Sequence, residues 1–309
     1  MFLSKNTADI QLNKPTAVTI GTFDGVHIGH QKIIKRLVNS ARKQGLEATI
    51  LTFFPHPRMI LQQDIGLKLI NTIDERISIL KESGIDNLIV YPFTKAFSRL
   101  RAEEYTKEIL KEKLNAHRVI IGYDHRFGRN RTADIQDLYR FGQELNFDIE
   151  EISKQEVEDV SVSSTKIRKA LNQGKLERAN QYLGAPFMLT GEVEKGKQLG
   201  QKLGYATANL AIKESYKLIP KSGVYVVRSV INNNTYYGMM NIGTNPTVGG
   251  QNQTIETHFF GWEGELYGHT LQIKLLKRIR AEEKFANTEE LVKAMKKDEA
   301  FSKKFIQQQ

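Results

Sequence analysis

The chain has 309 residues, 40% of them hydrophobic and 26% charged, an ordinary composition for a soluble protein and length enough for two domains. The absence of cysteine excludes disulfides, thiolate metal sites and cysteine nucleophiles. The net charge of +10 comes from 45 basic residues scattered among 35 acidic ones without a long basic tract, which suits an enzyme handling ATP and phosphorylated products.

No apolar run reaches the roughly 18 residues needed to span a bilayer. Met1 to Lys14 is polar and lacks the apolar core of a signal peptide, so the expected location is cytoplasmic, with no membrane partner. The densest basic cluster, Lys293 to Lys304, includes Asp298 and Glu299 and reads as a solvated helix face.

In chain order, the first informative stretch is Val18 to Leu37. A short apolar run, the turn Gly21-Thr22-Phe23-Asp24-Gly25-Val26-His27-Ile28-Gly29-His30 and an amphipathic run read as strand, tight loop and helix. Gly21 and Gly25 let the backbone approach a ligand and take positive φ. With a helix starting near His27, the imidazoles of His27 and His30 share one face of its first turn. Free N–H groups at that helix start and two imidazole donors make an anion cradle. A glycine-rich turn alone is weak evidence, and a lone histidine is usually an ordinary core or surface residue. Two histidines bracketing Gly29 after Gly-x-Phe-Asp-Gly are harder to dismiss, and no Walker loop is present. The pattern resembles the His-x-Gly-His loop of the nucleotidylyltransferase superfamily, in which the histidines contact ATP phosphates.

Further along, Glu47–Phe54, Asn87–Tyr91, Arg118–Ile121 and Phe147–Ile152 read as strands. Asp74–Ser83, Ala102–Leu114 and Ile135–Leu145 read as helices, and Pro55-His56-Pro57 as a rigid loop. Such alternation predicts a parallel sheet covered on both faces, with ligands beyond the carboxyl ends of its strands. Gly122 to Arg129 mixes aromatic and cationic side chains and can grip a planar ring and a phosphate, although an ordinary surface loop looks the same. Ser163-Ser164-Thr165-Lys166-Ile167-Arg168 opens a helix; its hydroxyls read equally as caps, while the Arg168 guanidinium suits a phosphate.

From about Ala185 the pattern changes to short strands: Phe187–Val193, Ala206–Leu210, Gly223–Val230, Tyr236–Ile242, Thr254–Phe260 and Thr270–Leu276. Turns are expected at Asn232-Asn233-Asn234 and Gly249-Gly250, and a helix over Asn287–Lys297. Strands without intervening helices predict an antiparallel barrel, with the domain boundary near Gln181 to Pro186. Gly196, Gly200 and Gly204 belong to a loop able to close over phosphates, and Thr207 and Asn209 offer neutral oxygens suited to Mg²⁺ held with ATP. Glu256 is a carboxylate able to take a proton from a hydroxyl, or simply a solvent-facing strand residue.

The ordered set of these motifs resembles the bacterial bifunctional riboflavin kinase/FMN adenylyltransferases, the prokaryotic FAD synthetases, over essentially the whole chain. Asn241 to Thr247, Thr254 to His258, Leu266-Tyr267-Gly268 and Arg280 through Phe285 add to the likeness. The resemblance implies a Rossmann-like nucleotidylyltransferase domain over 1–183 and a riboflavin kinase domain over 186–309, a Greek-key β-barrel with a terminal helix. It implies riboflavin, FMN and ATP as substrates, FMN and FAD as products, Mg²⁺ as cofactor, no nucleic acid partner and at most a weak homo-oligomer. By family position, Glu256 is the kinase base, with Thr207 and Asn209 at the metal and Gly196, Gly200 and Gly204 around the phosphates. In the first domain His27 and His30 are catalytic, and Gly21, Phe23, Gly25, Gly29, Ser163, Ser164, Thr165 and Arg168 bind ATP and its phosphates. Phe54, Asp124 and Arg126 are flavin-binding candidates. The chain departs from the family at Ala206, where proline is usual, so weaker preorganisation and slower kinase turnover are expected. Two other classes fit less well: a nucleotidylyltransferase for another substrate, such as pantetheine phosphate, with an inert barrel, and an RNA-binding module, which predicts aromatics interleaved with Lys/Arg.

Overall fold

The computed structural model describes residues 1–6, 10–61, 66–122, 125–153, 162–196, 204–247 and 250–308. Predicted features at Asp124, Gly200 and Gly249 lie outside the described residues. The chain divides into two compact units, Met1–Ser164 and Thr165–Gln309.

The first unit is built on a six-stranded sheet in the order β1-β4-β3-β2-β5-β6, parallel at every pairing. Its strands are β1 (Phe2–Ser4), β2 (Thr16–Ile20), β3 (Glu47–Phe54), β4 (Asn87–Pro92), β5 (Ala116–Gly122) and β6 (Asp148–Ile152). Strand alternation splits the core in two. Val18, Leu51, Ile89 and Val119 pack on one face with Ile109, Leu110 and Phe141. Ala17, Ile50, Leu88 and Ile120 pack on the other with Ile34, Leu37, Ala41 and Leu80. The latter group comes from helices α1 (Ile28–Lys43) and α3 (Ile73–Lys81); α2 (Pro57–Leu61) is a short turn between them.

The helix expected over Ala102–Leu114 begins as α4 (Ala102–Glu104) and widens into a π-type helix over Tyr105–Lys113. Its last bond runs from Leu114 N to Ile109 O at 3.0 Å, five residues back. The wider turn brings Tyr105, Thr106, Ile109 and Leu110, spaced by four and five, onto one buried face. Helix α5 (Ile135–Leu145) follows, starting from a capping box between Asp134 and Asp137.

Two short helices precede the barrel, α6 (Ser164–Asn172) and α7 (Leu176–Leu183). Asn180 on α7 ties to barrel strands at both ends of its amide: Nδ2 donates to Leu275 O at 2.9 Å, and Oδ1 accepts from Phe187 N at 2.8 Å.

The second unit closes six strands into a barrel in the order β10-β11-β8-β7-β12-β9. They are β7 (Phe187–Glu194), β8 (Ala208–Ala211), β9 (Gly223–Ile231), β10 (Asn234–Thr247), β11 (Gly250–Phe259) and β12 (Thr270–Arg280). Strands β9, β10 and β11 run as hairpins and β12 returns beside β9, the Greek-key arrangement. The turn expected over Asn232-Asn233-Asn234 is made by Asn232 and Asn233, at φ +49° and +63°, as a left-handed two-residue turn, and Asn234 already begins β10. Leu189, Met240, Ile242, Ile273 and Leu275 are fully buried and fill the barrel. Helix α8 (Thr288–Ile306) is two turns longer than predicted. It is fastened to β12 by Arg280, whose guanidinium holds buried Asp298 through three contacts of 2.8–3.1 Å.

Candidate active sites

In the first unit the loop between β2 and α1 is held from behind by its carbonyls. Thr22 O accepts from Thr52 Oγ1 at 3.2 Å, Asp24 O from Ser164 Oγ at 2.8 Å and Val26 O from Gln31 Nε2 at 2.9 Å. Drawing carbonyl oxygens inward removes the groups that would repel an anion. The Asp24 carboxylate is also buried, accepting from the backbone of Ile70 at 3.0 Å and of Asn71 at 3.3 Å. Gly25 takes φ +87°, but Phe23 and Val26 also stand at positive φ, +47° and +40°. Such strain, on the order of 1–3 kcal/mol per residue, persists only where surrounding contacts impose it, and it concentrates at functional loops. Gly21 keeps a negative φ; its role is space, because a Cβ there would meet the Phe23 ring at 3.1 Å.

His27 is the N-cap of α1, its Nδ1 accepting from His30 N at 3.4 Å. The two imidazoles stack with centroids 3.7 Å apart and planes 15° apart, and Phe23 meets His30 edge-on at 5.2 Å. Burial lowers the His27 pKa to about 4, outweighing the Asp24 charge and a backbone hydrogen bond, which act to raise it. Burial first, then the neighbouring His27 and the buried Arg76, hold His30 well below its ordinary value. Both rings are therefore neutral at pH 7, each with one N–H to offer. No acidic residue lies in the first turn of α1, and Arg42 and Lys43 lie in its last, the charge pattern that favours an anion at the start.

The other predicted residues of this half take varied places. Ser163 and Thr165 are exposed, Arg168 is half-buried on α6, and Ser164 donates its hydroxyl to the loop. Phe54 packs against the α1-side core, and Arg126 pairs with Asp134 at 2.8 Å at the start of α5.

In the barrel, Glu256 on β11 lies directly opposite Asn209 of β8 on one side and Asn241 of β10 on the other. Cross-strand partners point to the same face, so the three polar side chains form a row. Beside it opens a cleft of about 330 Å³ whose lining includes Gly196, Thr207, Asn209, Thr257, His258 and Tyr267. Thr207 precedes β8 rather than lying within it, because the strand begins at Ala208, two residues later than predicted. Gly196 is pressed against Asn209: a Cβ there would stand 2.1 Å from the amide nitrogen. Gly204 takes φ +82° in open space.

The FAD synthetase family model matches residues 9–166, and the riboflavin kinase family model matches residues 183–306. The chain belongs to the bifunctional riboflavin kinase/FMN adenylyltransferase family. Relatives of that name include one from Buchnera aphidicola subsp. Schizaphis graminum, 36% identical, with 96% of each chain covered. Another, from Listeria monocytogenes, is 35% identical, covering 96% of this chain and 93% of its own. That of Escherichia coli K12 is 34% identical over 94% and 92%. A crystal structure described as a macrolide-efflux protein from Streptococcus pneumoniae matches with TM-score 0.88 at 32% identity over 98% of both chains. Among the described residues of the present family member, no helix is long and apolar enough to cross a membrane.

Sequence reasoning passed over three residues of this family member that the fold brings to the candidate sites. Asn241 completes the row with Glu256, and the Asn-Ile-Gly-Thr motif around it was its signal. Thr257, fully buried, also lines the cleft, and among the described residues its hydroxyl has no hydrogen-bond partner. Arg76, fully buried on α3, biases His30 toward neutrality and carried no motif of its own.

Proposed function

We propose that the chain phosphorylates the ribityl 5′-hydroxyl of riboflavin with ATP to give FMN, and then adenylylates FMN with a second ATP to give FAD and pyrophosphate. The observation that supports this most directly is kinship along the whole length, in which both family models fall in order on one chain. Residues 1–183 would carry the adenylyltransferase and residues 186–309 the kinase.

In the barrel, Glu256 takes the proton from the 5′-hydroxyl as that oxygen attacks the γ-phosphorus and ADP departs. Among the described residues no cluster of three His, Asp or Glu could hold a metal. Thr207 and Asn209 at the cleft offer neutral oxygens, a set that fits Mg²⁺ only when ATP phosphates supply the negative ligands. Mg²⁺, when bound with ATP, neutralises charge on the phosphates; Gly196 and Gly204 would let the backbone come close to them, and Gly200 is assigned the same part by family position alone.

In the first unit no general base is needed, because the FMN phosphate is already an anionic nucleophile toward the α-phosphorus. Negative charge builds as pyrophosphate leaves, and neutral N–H donors on His27 and His30 meet it without costly reorganisation. Arg168 and the hydroxyls of Ser163, Ser164 and Thr165 would add donors, and Phe54, Asp124 and Arg126 would grip the flavin. ATP as co-substrate puts both reactions in the cytoplasm, and small molecules suffice as partners.

Incubating purified protein with riboflavin, ATP and Mg²⁺, then resolving the flavins by chromatography, should yield FMN first and FAD after it. Unconverted riboflavin together with unconverted FMN would overturn the reading. Riboflavin-dependent ADP release by residues 186–309 alone would separate it from a nucleotidylyltransferase with an inert barrel.

A further inference from the structure

Residues Tyr205 to Thr207 lead into β8 and carry Thr207 to the cleft, yet the pairing of β8 with β11 starts only at Ala208. Ala206, free in φ, gives this approach no stiffness of its own. Side chains from two other elements hold it instead. Buried Tyr205 donates its hydroxyl to Glu299 Oε2 on α8 at 2.9 Å. Its ring meets His258 of β11 edge-on, with centroids 5.1 Å apart. His258 Nδ1 lies 2.9 Å from Ala206 O, and because a carbonyl only accepts, that nitrogen carries the proton. Glu299 is fixed in turn by Lys303 at 2.6 Å, whose ammonium lies 5.7 Å from the centroid of the Phe260 ring. Phe260 closes the circuit with an edge contact to His258 at 5.7 Å.

The circuit therefore grips Tyr205 by its side chain and Ala206 by its carbonyl oxygen, and ties them to the strand that bears Glu256. His258 is two residues beyond Glu256, so it lies on the same face of β11. Burial and the Glu299 carboxylate push Tyr205 up to about 12, which keeps the phenol protonated as donor.

The geometry points to Tyr205, His258 and Glu299 as positioning residues of the kinase site, a clamp that fixes Ala206 so that Thr207 and Asn209 stand in register with Glu256. This rests on reading the barrel as a riboflavin kinase. The clamp offsets the looseness expected from alanine at 206.

The test uses Tyr205→Phe and Glu299→Gln in the full-length protein, each alone and combined with Ala206→Pro, measured against Ala206→Pro alone. Losing one charge-assisted hydrogen bond should lower kcat/KM for riboflavin phosphorylation about five- to tenfold. FMN adenylylation should hold and the melting temperature should fall by only a few degrees, and proline at 206 should restore most of the kinase loss. Amide hydrogen exchange over residues 204–209, read on the same proteins, should quicken in Tyr205→Phe and slow again in the double variant. A kinase loss that Ala206→Pro does not relieve, or exchange that does not change, overturns the clamp. A wild-type protein that phosphorylates no riboflavin refutes the kinase reading instead, and the exchange data alone then decide the clamp.

Discussion

Gly29 leaves open the space beside the His27 imidazole: a Cβ there would stand 3.2 Å from both Cε1 and Nδ1 of that ring. The middle glycine of His-x-Gly-His is thus part of the stack between His27 and His30, not only a flexible link. Two effects of Gly29→Ala oppose each other. Helix propensity favours alanine by up to about 1 kcal/mol, while the methyl group pushes His27 off its partner. The melting temperature should therefore hold or rise, while FAD formation from FMN falls at least about tenfold, the scale expected for misplaced catalytic groups. Riboflavin phosphorylation should not change. Unchanged FAD formation would mean that the stack is incidental to the chemistry.

Single substitutions should separate the two activities. Glu256→Ala should cost the kinase about 10²–10⁴-fold, the range for losing a general base, and leave FMN-to-FAD conversion intact. His30→Ala should do the reverse, losing about 10²–10³-fold in adenylylation as for one missing transition-state donor. Separate assays from riboflavin and from FMN read the two effects. Loss of both activities in a well-folded single variant would contradict the assignment.

The buried histidines also set a pH dependence. Folding lowers the His27 pKa from its ordinary value of 6.5 to about 4, so between these values the unfolded chain binds more protons than the native one. Stability is therefore lost as pH falls through this window, by about 2 kcal/mol at pH 5 relative to neutrality from His27 alone. His30, lowered for the same main cause, adds to the loss. Urea unfolding of the wild type and of His27→Asn at pH 7 and pH 5 checks this. The variant should lose less stability on acidification, and an equal loss would show that His27 titrates normally.

Much of this was legible because local chemistry carried it. The β2–loop–α1 unit announces itself by an apolar run, glycines and a helical period, and the barrel by closely spaced turns. Strand β1, with three residues, is too short to show a pattern, and its pairing with β4 is set by the sheet edge rather than by its own sequence. Helix α7 does bury Leu176, Ala179 and Leu183 at helical spacing, but eight residues are too few for the period to stand out from sequence. The site geometry was less accessible. That Glu256 faces Asn209 depends on barrel closure joining β11 to β8, and that Ser164 braces Asp24 joins residues 140 apart. No local pattern encodes such pairings. Arg126 was legible by residue type alone, while its ion pair with Asp134 at the start of α5 became visible only in the fold.

Gly196 offers the sharpest test of the barrel site. A Cβ at this position would stand 2.1, 2.5 and 2.7 Å from Nδ2, Cγ and Oδ1 of Asn209, distances that no small adjustment absorbs. Asn209 would have to turn away from its place opposite Glu256, and the cleft wall that Gly196 and Asn209 both line would change with it. Gly196→Ala should accordingly raise the KM for ATP in riboflavin phosphorylation about tenfold, with adenylylation of FMN unaffected. If the damage runs through Asn209, the effects of Gly196→Ala and Asn209→Ala will not add, since residues in contact couple. The double variant should then be no worse than the poorer single one. Additive losses would mean that Gly196 serves the phosphates directly, through its own backbone, rather than by making room for the asparagine.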